Sequence, residues 1–196
     1  QNMGETLTYA EVGKLAEDFA SYLQNVLKLP RGERVAIMLP NLLQYPIALF
    51  GILQAGLVAV NTNPLYTPRE LEHQLKDSGA TTIIVLENFA NTLELVLPRT
   101  QIKHVIVASF GEMFGFFKGS LINFVLRKVK KMVPEYRISD TIPFQTAFKY
   151  GRLALYLATE DFRMPPFTGL TAALNRFQTA LAQPKQTQQA VLADIL

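Results

Sequence analysis

The chain has 196 residues, of which 49% are hydrophobic and 18% charged, a composition typical of a folded protein rather than a disordered one. It contains no cysteine and two histidines, His73 and His104, which excludes disulfide frameworks, cysteine nucleophiles and multi-histidine metal sites. The net charge of +3 is uneven, because residues 1–100 carry 7 Lys or Arg against 10 Asp or Glu, whereas residues 101–196 carry 12 against 6.

Two capping boxes mark helix starts in the first half of the chain. Thr8 and Glu11 precede apolar residues at helical spacing that continue to about Lys28, and Thr67 and Glu70 open a helix that Gly79 ends. A third predicted helix spans residues 42–55 and is apolar most of the way round, which favours a deeply buried position. Residues 88–97 form a further predicted helix.

Four short apolar runs predict buried strands. They cover residues 35–39, residues 57–60, Thr82–Leu86 and His104–Ala108. Because these runs alternate with the helices, the sequence predicts an α/β fold with a doubly wound, mostly parallel sheet and helices on both faces. The pattern weakens beyond Pro134, where no further strand is predicted.

The segment of residues 114–137 combines apolar and basic side chains. Six Lys or Arg face one acid, Glu135, in residues 118–137, and aromatic residues precede them. One interpretation is a helix packed on the sheet with a solvated basic end. The other is an amphipathic surface element that contacts anionic lipid. Its candidate contact residues are Phe116, Phe117, Phe124, Arg127, Lys128, Lys130 and Lys131. Nucleic acid is not an expected partner, because aromatic and basic residues are not interleaved.

Residues 39–75 carry the most specific motif of the chain. It includes the run Asn63-Pro64-Leu65-Tyr66-Thr67-Pro68-Arg69-Glu70-Leu71. This block resembles the bacterial long-chain fatty-acid–CoA ligases of the AMP-forming, adenylate-forming superfamily, and the resemblance extends over roughly residues 4–150. It implies the amino-terminal α/β subdomain of such an enzyme at residues 1–150. Residues 151–196 are then a junction plus a partial piece of a later subdomain.

The resemblance also implies the reaction of the intact enzyme. A long-chain fatty acid reacts with Mg-ATP to give an acyl-adenylate and pyrophosphate, and coenzyme A then displaces AMP. The family's glycine-rich phosphate loop, which ends in lysine, does not follow residues 157–161 as expected. We therefore expect a fragment with a join at residues 151–162, inactive alone and without a tightly bound Mg²⁺, ATP or CoA.

The tail resembles a later segment of the family, close to its acyl-binding tunnel. The matching positions are Phe167, Thr168, Gly169 and Leu170, which the resemblance makes candidate residues of that tunnel; a buried helix start is the alternative. No catalytic residue and no metal ligand is predicted, since residues 41–75 are scaffold and the two histidines lie in surface-like contexts.

The sequence thus predicts part of a long-chain fatty-acid–CoA ligase. The alternatives are a non-catalytic scaffold derived from that fold, or a membrane-peripheral lipid-binding domain. The absence of cysteine and of a signal peptide or an eighteen-residue apolar run favours a cytoplasmic protein, peripheral on the inner membrane face if the basic segment contacts lipid. A homodimer is compatible with the resemblance.

Overall fold

The computed structural model describes residues 2 and 4–161. The chain divides into a compact unit of residues 1–155 and a second unit of residues 156–196, of which residues 156–161 are described. The first unit contains a five-stranded sheet in the order β2-β1-β3-β4-β5, with every strand pair parallel. The strands are β1 Arg34–Met38, β2 Val58–Asn61, β3 Thr82–Leu86, β4 His104–Ala108 and β5 Ile142–Pro143.

Six α-helices connect or flank these strands in the described residues. They are α1 Tyr9–Ser21, α2 Gln44–Gln54, α3 Pro68–Ser78, α4 Ala90–Val96, α5 Phe116–Phe124 and α6 Phe144–Asp161. Two π-helical turns, Tyr22–Val26 and Val125–Val129, continue α1 and α5 directly. The predicted α/β class and the parallel sheet are confirmed.

Alternate side chains of the central strands point to opposite faces of the sheet. On β1, Val35 and Ile37 join the core that includes Phe19, whereas Ala36 and Met38 join the second core, which includes Leu71. Both faces are therefore covered, as the continuous apolar run of β1 predicted.

Local sequence signals set several element boundaries. Both predicted capping boxes form, since Thr8 accepts from the Glu11 amide and Thr67 accepts from the Glu70 amide. Gly79 ends α3 with a left-handed φ of 64°, a conformation that costs glycine little. Strands β3 and β4 match the predicted bounds.

Two predictions about the elements are corrected. Helix α2 is buried along one face only, because Phe50 and Leu53 are 48% and 54% exposed. Beyond Pro134 the described residues include β5 and α6. Helix α6 packs Phe144 and Phe148 against Phe19 with ring centroids 5.1 and 6.0 Å away. The weak pattern there therefore concealed a core helix.

Candidate functional site

A cavity of about 550 Å³ opens at the carboxyl ends of β3 and β4. Ligands of open α/β sheets bind at this edge. The residues that line it come from the turns after both strands, from α5 and its π-helical turn, and from the chain around β5. They are Glu87, Val107, Ser109, Gly111, Glu112, Gly115, Gly119, Ser120, Asn123, Arg127, Tyr136, Thr141, Pro143 and Gln145.

Glu87 is a fully buried carboxylate in the turn that follows β3. Arg127 donates to its Oε2 through Nε at 3.0 Å and through Nη2. The other oxygen, Oε1, is buried and has no hydrogen-bond partner among the described residues. The Glu87 carboxylate is thus neutralised on one oxygen and unsatisfied on the other.

Glu112 is a partly buried carboxyl group that also lines the cavity and lies in the turn after β4. Burial raises the pKa of Glu112 to about 8. The hydrogen bond from Gln44 opposes this increase, whereas the nearby charge of Glu87 adds to it. Gln44 Nε2 donates to Glu112 Oε1 at 3.1 Å and to the Ser109 carbonyl at 3.0 Å. Gln44 therefore ties the start of α2 to this site.

Helix α5 rests on the turn after β4 through two glycines. A Cβ on Gly111 would meet the Gly119 carbonyl, and a Cβ on Gly119 would meet the Gly111 carbonyl. Asn123 adds two hydrogen bonds, accepting from the Gly111 amide at 2.7 Å and donating to Ser109 Oγ at 3.3 Å. This close contact between α5 and the turn after β4 positions the π-helical turn so that Arg127 contacts Glu87.

The face of α5 opposite the contact with the turn after β4 exposes apolar side chains. Phe117, Leu121 and Phe124 are 87%, 64% and 59% exposed, and their i, i+4, i+7 spacing places them on one stripe. The side chain of Phe116 lies outside the described set.

The basic residues that follow α5 do not all have the same environment. Lys128, Lys130 and Lys131 are exposed, and within residues 4–161 no ion pair involves them. Arg127, by contrast, pairs with Glu87. Lys118 pairs with Glu5 at 2.6 Å. The four basic residues among the membrane candidates therefore separate into three lysines without an ion pair in the described part of the chain and one arginine paired with Glu87.

The remaining sequence candidates lie elsewhere. His73 is exposed on α3, and His104 begins β4 half-buried, where burial lowers its pKa. Asn61 accepts from Tyr45 Oη at 3.0 Å, and its carbonyl accepts from Gln74 at 2.8 Å. These bonds join the end of β2 to α2 and α3.

The candidate tunnel residues Phe167, Thr168, Gly169 and Leu170 lie outside the described residues. Residues 4–161 also bring together no group of three His, Cys, Asp or Glu that could hold a metal ion. No described helix is long and apolar enough to cross a bilayer.

Glu87 and Glu112 were not singled out from the sequence, although a signal was present. Glu87 follows the end of β3 by one residue, and Glu112 follows the end of β4 by four residues. Because neighbouring parallel strands end at the same edge, acids at those positions converge. The pairing of Glu87 with Arg127 depends on the π-helical turn, which local periodicity does not show.

The fold and the sequence together define the class of protein. Residues 1–124 match the family model described as AMP-binding enzyme, and the chain belongs to that family. A long-chain-fatty-acid–CoA ligase of Haemophilus influenzae is 51% identical over 177 residues, and one of Yersinia pestis is 53% identical over 177 residues. Both matches cover 88% of this chain and 32% of the relative, so the chain spans about a third of their length.

A solved structure shows the same fold. The crystal structure of a long-chain-fatty-acid–CoA ligase from Archaeoglobus fulgidus superposes with a TM-score of 0.51 at 28% identity, covering 55% of this chain and 21% of that one. The resemblance of the 39–75 block to CoA ligases is therefore confirmed.

Proposed function

We propose that this chain forms part of a long-chain fatty-acid–CoA ligase, to which it contributes the α/β unit. The identity of 51–53% to two such ligases over 177 residues carries the proposal. The intact enzyme would join a long-chain fatty acid to CoA with Mg-ATP, producing AMP and pyrophosphate. In this proposal the described residues supply scaffold to that reaction, through the five-stranded parallel sheet and its two hydrophobic cores.

The same proposal extends to the organisation of the chain. Residues 1–150 form the amino-terminal α/β subdomain, and residues 151–196 combine a junction with a partial piece of a later subdomain. Phe167, Thr168, Gly169 and Leu170 are proposed to contribute to the acyl tunnel. Their similarity to a tunnel-side segment of the family supports this assignment.

A chimera tests the ligase proposal directly. Residues 1–150 replace the matching stretch of the Haemophilus influenzae ligase, and acyl-CoA formation is measured with a long-chain fatty acid, ATP and CoA. We expect the chimera to retain activity. The matched control replaces the same stretch with this chain carrying Glu135→Gln, an exposed change away from the core. A folded chimera that binds CoA but forms no acyl-CoA would contradict the proposal.

We also propose that the α5 surface contacts the anionic headgroups of a membrane at its cytoplasmic face. The exposed stripe of Phe117, Leu121 and Phe124 carries this proposal, together with the lysines that follow. Apolar side chains insert at the interface while basic ones meet the headgroups. Such contact suits an enzyme whose substrate is a fatty acid.

Vesicle sedimentation tests the membrane proposal. Replacing Lys128, Lys130 and Lys131 with Gln removes about 1 kcal/mol of attraction per lysine, or roughly 100-fold in binding to anionic vesicles. Arg127 is retained because it neutralises Glu87. The control replaces Lys14, Lys103 and Lys149, three exposed lysines elsewhere, with Gln. Equal losses in both variants, or equal binding to neutral vesicles, would refute a specific lipid-binding surface.

A further inference from the structure

Glu87 lines the cavity and keeps one hydrogen-bonding atom that no described residue satisfies. The residue is fully buried, and Arg127 donates to Oε2 alone. Its other oxygen, Oε1, accepts no hydrogen bond from residues 2 and 4–161. Because a buried carboxylate oxygen without a donor is costly, an N–H group that reached Oε1 from the cavity would bind favourably.

The charged side chains that line the cavity leave an excess of negative charge. Glu87 and Glu112 contribute two carboxyl groups, whereas Arg127 is the one cation among the described lining residues. The side chain of Arg127 is also 52% exposed, so solvent screens part of its charge. A positively charged occupant would balance the second carboxylate, which is costly to leave unpaired in a desolvated site.

The size of the cavity and its other lining groups favour an organic cation. Its volume of about 550 Å³ lies in the range of small-molecule sites and is many times the roughly 30 Å³ that one water occupies. Ser120 and Thr141 add hydroxyl groups, and Tyr136 adds an aromatic ring, whose face attracts cations. We propose that this cavity binds a small organic cation, whose ammonium or guanidinium N–H group donates to Oε1 of Glu87.

Contacts that are already formed hold the lining groups in place. Gln44 donates to Glu112 Oε1 at 3.1 Å, and Gln145 donates to the Glu112 carbonyl. Asn123 accepts from the Gly111 amide at 2.7 Å. Ordered lining groups reduce the entropic cost of binding. The site is formed by residues 87–145 and does not depend on the proposed ligase activity.

Two matched ligands test the site on the 196-residue chain. n-Butylguanidinium and n-butylurea have the same shape and the same apolar tail, but only the first carries a positive charge. Isothermal titration calorimetry measures both at a pH above the raised pKa of Glu112, about 8, so that both carboxyl groups are ionised. We expect n-butylguanidinium to bind at least about tenfold more tightly, because charge-assisted hydrogen bonds are roughly twice as strong as neutral ones. Equal affinities, or no binding of either ligand, would overturn the proposal.

Backbone-amide NMR of the wild-type chain locates the bound cation without a variant. We expect n-butylguanidinium to shift the amide resonances of lining residues such as Ser109, Gly111 and Ser120, and these shifts to saturate. Shifts that instead follow the exposed acids across the surface would identify non-specific ion pairing and refute the site.

Glu87→Gln is the informative variant, because it keeps the length of the side chain and removes its negative charge. We expect this variant to lose the preference for n-butylguanidinium. Glu17→Gln, an exposed change on α1, alters the net charge equally outside the cavity and should keep the preference. A preference that survives Glu87→Gln would show that Glu87 does not hold the cation. If Glu87→Gln does not fold, the wild-type affinities and amide shifts decide the question.

Discussion

Asp18 is a buried carboxylate on α1 with a counterion from a distant part of the chain. It is 2% exposed, and Arg152 of α6 donates to its Oδ2 through Nε at 2.9 Å and Nη2 at 2.7 Å. Gly151 permits this contact, since a Cβ there would meet the Asp18 carbonyl. One ion pair thus orients α6 on α1.

Removing that counterion should destabilise the α/β unit. We expect Arg152→Ala to lower the free energy of unfolding by about 1–3 kcal/mol, because the carboxylate stays buried while its donors disappear. Arg152 is itself 58% exposed, so solvent screens part of the loss. The matched control, Lys149→Ala on the exposed face of α6, should change stability little, and urea unfolding measures both. Equal effects would show that Asp18 does not need Arg152.

At the scale of an element, the packing of α5 against the turn after β4 requires that Gly111 and Gly119 have no Cβ atom. We predict that Gly119→Ala destabilises the protein by about 1–3 kcal/mol, because the new methyl would meet the Gly111 backbone. Gly13→Ala on α1 is the matched control, since nothing lies within 4 Å of a Cβ there. It should stabilise the protein by about 0.5–1 kcal/mol through helix propensity.

The sign of these two effects is the decisive result. Thermal or urea unfolding of both variants should show opposite shifts from the same chemical change. If Gly119→Ala stabilised the protein as Gly13→Ala does, the close contact between α5 and the turn after β4 would be refuted.

The capping box of α3 provides an element-scale prediction with a pH dependence. Thr67→Ala removes the acceptor for the Glu70 amide and should cost about 1 kcal/mol at neutral pH. The hydrogen bonds from Thr67 lower the pKa of Glu70. Glu70 therefore contributes to the free energy of unfolding above its ordinary pKa of 4.5, and this contribution is lost as pH falls below that value.

The measurement is the difference in unfolding free energy between wild type and Thr67→Ala at neutral and at acidic pH. The difference should shrink on acidification. Thr67→Ser, which keeps the hydroxyl acceptor, should behave like the wild type at both. If Thr67→Ala lowered the free energy of unfolding equally at both pH values, the Thr67 cap would not depend on the ionisation of Glu70, and the prediction would be wrong.

The elements differ in how far the sequence alone could predict them. Capping boxes and the apolar run of β3 act within a few residues, so their boundaries were predictable. Helix α6 also carries a helical spacing in Phe144, Ala147, Phe148 and Gly151, but its dependence on Phe19 is long-range.

The pairing of Glu87 with Arg127 joins residues 40 apart and requires a π-helical turn. No local pattern specifies such a pair.

At the scale of the whole molecule, the chain covers only about a third of the ligases it resembles. Its described unit supplies a sheet, two cores and an exposed α5 surface, while the phosphate loop that the family resemblance implies does not follow residues 157–161. In the family that this chain resembles, such a loop holds the phosphates of ATP through its backbone amides.

We therefore predict that the purified 196-residue chain does not catalyse fatty-acid-dependent exchange between pyrophosphate and ATP. A full-length long-chain-fatty-acid–CoA ligase from Haemophilus influenzae serves as the positive control in the same assay. Because the chimera described above restores the missing parts around residues 1–150, it should show exchange under conditions in which the chain alone does not. Exchange by the isolated chain above the no-enzyme background would require a phosphate-binding site within these 196 residues, and would contradict the scaffold role proposed for the unit.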